Sequence, residues 1–302
     1  MSLVSLSNAI NYDHTLIGSK AMNLSKIKRI LNNIPDGYVV TSEAFKEFLS
    51  FNHINTTSNE NVQDEIIHAK FPANMELTIA EKFEALKKSS NYAVAVRSSS
   101  ALEDLEGASF AGQYETILNV RTLEELLHSI KRCWASYFSS YVLDYAKNNS
   151  ISLSDVQMGV LVQGMVNADV SGVIFSTNPV THNQNEVLIN ASYGLGEAIV
   201  DGSVTPDMFI INKQSNHIMK ELGLKEIQII PAESGNETVD VPIEKQEVFC
   251  LEEDLIHQLT DVTKEIEAYY QYPVDIEFAI NNHQIFILQS RPITTLKGDK
   301  AS

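Results

Sequence analysis

Apolar residues recur along this chain with two periods, one near two and one near 3.6, and the segments they mark alternate between strand and helix. After Leu16-Ile17-Gly18-Ser19-Lys20, the positions Met22, Leu24, Ile27, Ile30 and Leu31 fall near helical spacing, with Lys20 in the first turn. Pro35-Asp36-Gly37 is a turn signal before a strand Tyr38-Val39-Val40, and Thr41 or Ser42 can cap a helix running to about Phe51. The polar stretch 52–61 reads as a surface loop, and helices are expected over about 60–69 and 76–89. Ala93-Val94-Ala95-Val96 then reads as a buried strand that delivers Arg97 at its end.

Thr122 and Glu125 make a capping box that opens a helix carrying Leu126, Ile130, Trp134, Phe138 and Tyr141 to about Lys147; an aromatic stripe at this spacing is core packing. Residues 157–166 alternate as a strand, with Gln163 on the face opposite Val160 and Val162. Strands follow at about 170–176 and 187–191. Gly194-Leu195-Gly196-Glu197 has G-x-G spacing without a third glycine or a surrounding βαβ unit, so it reads as a structural turn with no ligand contact. Short strands and turns fill 212–246, and 252–270 is helical through Leu255, Leu259, Val262 and Ile266.

The last pattern is a hairpin of two alternating strands, 274–280 and 284–290, joined by Asn281-Asn282-His283. A three-residue loop would set Asp275 opposite Gln289, with Glu277 one diagonal away and Arg291 on the same face. A two-residue loop would slip the register by one and turn Gln289 to the other face.

Composition narrows the function classes. Lys and Arg number 22 against 39 Asp and Glu, a net charge of −17, so nonspecific attraction to nucleic acid or to an anionic membrane is not expected. Cys133 and Cys250 have no CxxC spacing, so neither a zinc site nor a disulfide framework is indicated, and a reduced cytoplasm fits. No leader pattern and no apolar run near the ~20 residues of a membrane span are present.

Candidate chemistry gathers around Arg97. A cation beside Ser98-Ser99-Ser100, then an acidic turn and a loop whose Gly107, Ser109, Ala111 and Gly112 leave the backbone nearly bare, suits an anion approached by N–H groups. The same residues also suit a surface turn with a structural arginine. Lys20, read alone, is one more solvated lysine. Asp275, Glu277, Gln289 and Arg291 suit either a Mg²⁺ and phosphate site or a solvated sheet face with an ion pair.

The stretch VRSSSALEDLEGASFAGQYETILNV resembles the signature of the N-terminal nucleotide-binding domain of phosphoenolpyruvate synthase, pyruvate phosphate dikinase and rifampin phosphotransferase. LIGSKAMNLSKI, the run from SGVIFSTNP through YGLGEAIVDGSVTPD, and VDIEFAINNHQIFILQSRPITT resemble the same family in the expected order, so the resemblance covers about residues 12–296. It implies an α+β, ATP-grasp fold of two lobes with the nucleotide cleft between them, a single domain over 1–296 and a tail or linker start over 297–302. It also implies ATP and Mg²⁺ as ligands, with Lys20, Arg97 and Arg291 on the phosphates, backbone around Gly112 closing over them, Thr116 and Gln163 within contact distance, and Glu277 and Gln289 holding the metal. In this family ATP passes its β,γ-diphosphate to a histidine in a glycine-led T-S-H-A motif on a separate domain. None of the eight histidines here stands in that motif; His182 is the nearest. The expectation is therefore an ATP-using module that serves a phosphocarrier histidine in cis or in trans, with pyruvate, a rifamycin or another small molecule as final acceptor. The alternative is a nucleotide-binding sensor that has lost turnover.

Overall fold

The structure, a computed structural model, describes residues 2–56, 61–88, 90, 93–102, 104–105, 108–109, 114–148 and 156–293. The chain divides into two compact units, Met1–Ile30 with Asp36–Met165, and Leu31–Pro35 with Val166–Ser302. Both mix helices with antiparallel sheet, the α+β class expected. The expected tail, 297–302, lies outside the described residues.

The strands of the first unit are β1 (Leu3–Ser5), β2 (Gly37–Val40), β3 (Val94–Ser100), a two-residue ladder β4 (Asp104–Leu105) with β5 (Ala108–Ser109), β6 (Thr116–Val120) and β7 (Met158–Gly164). Its helices are α1 (His14–Ile17), α2 (Ser19–Ile27), α3 (Ser42–Phe51), α4 (Val62–His68), α5 (Ala73–Lys87), α6 (Leu123–Ser136) and α7 (Ser140–Asn148). The main sheet has the order β1-β2-β7-β3-β6. Directly paired residues share a face. Tyr38, Val40, Val94, Val96, Val160 and Val162 therefore form one face, and they are buried in a core with Phe45 and Phe48 of α3, Phe83 of α5, and Ile130 and Trp134 of α6. Trp134 stacks on Phe45 with ring centroids 4.7 Å apart, which gives the aromatic stripe its packing role.

The capping box at Thr122 and Glu125 is present and opens α6. The helix does not run unbroken to Lys147. It ends at Ser136, and Ser139 Oγ accepts the Val142 N–H at 3.3 Å, so a serine hydroxyl caps the start of α7.

The opening helix pattern starts after Gly18, as expected, with the short α1 before it. Gly18 has φ +77°, and a Cβ there would lie 1.8 Å from Ser99 O. Only glycine permits so close an approach, and it seats the first turn of α2 on β3, where Ser99 Oγ accepts the Ala21 N–H at 3.1 Å.

The second unit is built on β8 (Val170–Phe175), β9 (Glu186–Tyr193), β10 (Asp207–Asn212), β11 (Ile218–Glu221), β14 (Val274–Asn281) and β15 (Gln284–Pro292). A separate hairpin pairs β12 (Ile227–Pro231) with β13 (Asn236–Asp240), and the helices are α8 (Glu197–Val200), α9 (Ile243–Gln246) and α10 (Glu253–Tyr270). The sheet order is β11-β10-β9-β8-β14-β15. Ile174, Ile189, Phe209, Ile211, Ile276 and Phe278 occupy one face and are buried, as are Ile256, Leu259 and Ile266 along α10. A fully buried ion pair ties the loops at the far edge. Lys225 Nζ donates to Asp207 Oδ1 at 2.5 Å and to Gly223 O at 2.9 Å, while Asp207 Oδ2 accepts the Cys250 N–H at 2.7 Å.

Two stability predictions follow from these contacts. Gly18→Ala should lower the unfolding free energy by at least about 2 kcal/mol, since the new methyl meets both a disfavoured φ and a backbone carbonyl. Lys225→Met leaves the buried Asp207 carboxylate without its counter-charge and should cost about 3–5 kcal/mol, while pairing it with Asp207→Leu should recover much of that loss. Urea unfolding midpoints check both.

Candidate functional site

The first unit has one face of its sheet given to the core, and the opposite face carries the candidates. Arg97 lies in the middle of β3 rather than at its end, because Ser98, Ser99 and Ser100 continue the strand, and all seven positions of β3 are buried. It pairs with Leu161 on one side and with Thr116 on the other, while Ala95 pairs with Gln163. Arg97, Thr116 and Gln163 thus stand on one face, with Gln163 diagonal to Arg97. Arg97 is 7% exposed and Gln163 only 2%, whereas Thr116 is exposed at the start of edge strand β6. Gln163 therefore does not face open water, which its sequence context left undecided.

Lys20 is buried at 9% exposure in the first turn of α2, whose N-cap is Gly18 and lacks a side-chain cap. Through Gly18 and Ala21 this turn rests on Ser99, which shares the face of Arg97 by alternation along β3. The chain therefore folds two cations from positions 77 residues apart in sequence (97 − 20) onto one side of the first sheet. Gly112 lies outside the described residues.

The terminal hairpin reaches the expected face by an unexpected route. Its turn has two residues, Asn282 and His283, both at positive φ (49° and 60°), the conformation a tight hairpin of right-handed twist requires. Asn281 pairs with Gln284, a register that by itself would send Gln289 to the wrong side. A bulge between Glu277 and Phe278 absorbs one extra residue, Leu288, and beyond it Glu277 stands directly opposite Gln289 and Asp275 opposite Arg291. The three-residue loop expected from the sequence is thus corrected, and the grouping of the four side chains on one face is retained.

Arg291 Nε donates to Asp275 Oδ2 at 2.7 Å and to Oδ1 at 3.0 Å. Asp275 and Gln289 are buried, Glu277 is half-buried, and the Arg291 side chain stays 33% exposed. The sequence offered Asp275 as an oxygen donor of a Mg²⁺ and phosphate site or as half of an ion pair. The structure makes it the group that orients Arg291, and its i, i+2 relation to Glu277 was the available signal. The same face continues through Val173 and Asn190 opposite Glu277, and through Ser171 and Ser192 one pair further along. Sequence reasoning missed these polar residues, since only the sheet register reveals that they neighbour Glu277.

Glu277 and Gln289 offer a carboxylate and an amide carbonyl on adjacent strands. This oxygen donor set fits Mg²⁺, which takes one or two protein ligands and completes its shell with water and phosphate. Among the described residues no group of three or more His, Cys, Asp or Glu could hold a metal ion, and no helix is long and apolar enough to cross a membrane.

With this geometry in place, comparison with known proteins is direct. Residues 14–302 match the family model described as pyruvate phosphate dikinase, AMP/ATP-binding domain. The chain is 48% identical over 285 residues to an uncharacterized phosphotransferase, YvkC, of Bacillus subtilis, covering 94% of this chain and 34% of that protein. It is 33% identical over 318 residues to a probable phosphoenolpyruvate synthase of Methanocaldococcus jannaschii (98% of this chain, 27% of that one). It is also 33% identical over 301 residues to a rifampicin phosphotransferase of Bacillus cereus (93% and 34%). The chain spans about a third of the length of these curated relatives. By family match and by identity over nearly its whole length, the chain belongs to the pyruvate phosphate dikinase AMP/ATP-binding domain family.

Proposed function

We propose that this chain binds Mg-ATP and delivers the β,γ-diphosphate to a phosphocarrier histidine on a separate domain or chain. The observation that carries the reading is that in each unit the apolar sheet face is buried in a core while the candidate residues all fall on the other, Lys20, Arg97, Thr116 and Gln163 in the first and Glu277, Gln289 and Arg291 in the second. A cation in the first turn of a helix opposes the helix dipole, and a bound anion offsets that cost. A polyphosphate would meet both Lys20 and Arg97 with negative charge.

In this reading Lys20, Arg97 and Arg291 grip the phosphate oxygens, Asp275 fixes the aim of Arg291, and Glu277 with Gln289 holds Mg²⁺, which when bound neutralises phosphate charge. Gln163 and Thr116 contact the nucleotide from the first sheet. The incoming imidazole nitrogen forms a bond to the β-phosphorus, the bond from that phosphorus to the α,β-bridging oxygen breaks, and AMP leaves with the oxygen. The chain's part is to position and neutralise. The final acceptor, pyruvate, a rifamycin or another small molecule, is met elsewhere in the enzyme, in keeping with the threefold greater length of the relatives.

Two outcomes test this. Arg97→Met keeps the buried volume while removing the charge, so it should leave the melting curve of the free chain nearly unchanged and weaken Mg-ATP binding about 100-fold, which titration calorimetry reads. Affinity that survives the substitution contradicts the grip assigned to Arg97. The wild-type chain mixed with Mg-ATP and a histidine domain of this family should release AMP, and Glu277→Gln should abolish that release while addition of excess Mg²⁺ restores part of it; chromatography of the nucleotides is the measurement.

A further inference from the structure

A cavity of about 530 Å³ in the first unit is walled by α4, by the start of edge strand β6 and by α6. That volume lies in the range of small-molecule sites. Of the described residues assigned to the nucleotide, only Thr116 touches it. Three polar side chains from three elements enter its wall: Gln63 of α4, Glu115 just ahead of β6, and Arg132 of α6. Arg132 Nη2 donates to Glu115 Oε2 at 2.8 Å, and the two side chains stay 43% and 39% exposed, so a ligand can reach both. Gln63 Nε2 donates to Ala135 O at 3.0 Å. The Glu115 backbone is fixed as well, since its carbonyl accepts the Ser98 N–H at 3.0 Å.

Each of these side chains spends one group on the protein and keeps others in hand. Glu115 Oε1, Gln63 Oε1 and the Nε and Nη1 of Arg132 make no hydrogen bond among the described residues. The charges then select among ligands. A phosphate would be repelled by Glu115, and a simple amine by Arg132. A molecule with both an ammonium and a carboxylate meets each with the opposite sign. Its ammonium can donate to Glu115 Oε1 and Gln63 Oε1, and its planar carboxylate suits the guanidinium fork. Ile67 and Ala135 give the same cavity an apolar part, which suits a hydrocarbon side chain.

We propose that this cavity binds a free α-amino acid with an apolar side chain, its carboxylate on Arg132 and its ammonium on Glu115 and Gln63. The site goes beyond the nucleotide reading and does not depend on it. The Arg132–Glu115 pair then has a reason beyond surface pairing, which by itself adds little to stability at this exposure. It holds two opposite charges side by side at the mouth of a cavity, the arrangement a zwitterion requires.

The test is titration calorimetry of the chain without nucleotide, with L-leucine, L-valine and L-phenylalanine as probes. At least one should bind with a Kd of about 1 mM or tighter. The amine left by removing its carboxylate, and the acid left by removing its ammonium, should each bind about tenfold more weakly, the share of one charged hydrogen bond. Arg132→Gln and Glu115→Gln should each weaken the amino acid by a similar factor, with melting curves to confirm that both variants fold. Should one variant fail to fold, the other decides. Binding of none of the three probes overturns the site, as does an amino acid held equally well by its one-charge counterparts or by a folded variant. No nucleotide enters the titration, so failure here leaves the Mg-ATP reading standing, and failure of that reading leaves this site standing.

Discussion

Strict alternation of side chains along a β-strand is the constraint on which the rest of this molecule depends. Each sheet buries one face in a core, so every second residue of β3, β7, β8 and β14 is committed to packing. The residues between them are forced onto the other face whatever they are. A chain that places arginine, glutamine, aspartate and glutamate at those intervening positions has no means of hiding them except by pairing them or by meeting a ligand. Asp275 with Arg291 takes the first course, through a double contact from one Nε.

Register is therefore worth more than any single hydrogen bond here. The terminal hairpin shows how narrowly it is set. A tight two-residue turn fixes one register at Asn281 and Gln284, and one inserted residue resets it before Glu277. Without that bulge Gln289 would be packed into the apolar side of the sheet, an uncompensated amide in the core. The same logic explains Gly18 and Gly194. Both take positive φ, and both sit where a backbone carbonyl comes closer than a Cβ could tolerate. They let a helix and a turn press onto a sheet face at points where Lys20 and Glu197 follow within three residues.

Much of this was legible in the sequence, for identifiable reasons. The first half of the strand at 94–100, the strands at 158–164 and 274–281 and the helix at 253–270 announced themselves by pattern, and the capping box at Thr122 by residue type. The faces of Gln163 and Glu277 followed from alternation, whereas Gln289 was expected there through a three-residue loop and reaches it through a two-residue turn and a bulge. Other features were not local enough to read. Whether Ser98 to Ser100 prolong a strand or open a loop is decided by pairing with Met158 to Val160, more than fifty residues away. The break between α6 and α7 turns on a serine that could equally have stayed helical. The pairing of Ser171 with Ser192 and the contact of Glu197 with Asn236 arise from chain topology, which no window of sequence contains. The buried Lys225–Asp207 pair, for the same reason, carried no sequence signal.

The claim that one nucleotide engages the polar faces of both sheets is tested most directly by amide chemical shifts recorded while Mg-ATP is added to the wild-type chain. The account predicts that the shifts which move together, with a single affinity, belong to Lys20, Arg97 and Gln163 in the first unit and to Glu277, Gln289 and Arg291 in the second, while the apolar strand positions between them stay still. Perturbations confined to one unit, or spread over the helices that cover the apolar faces, would contradict it.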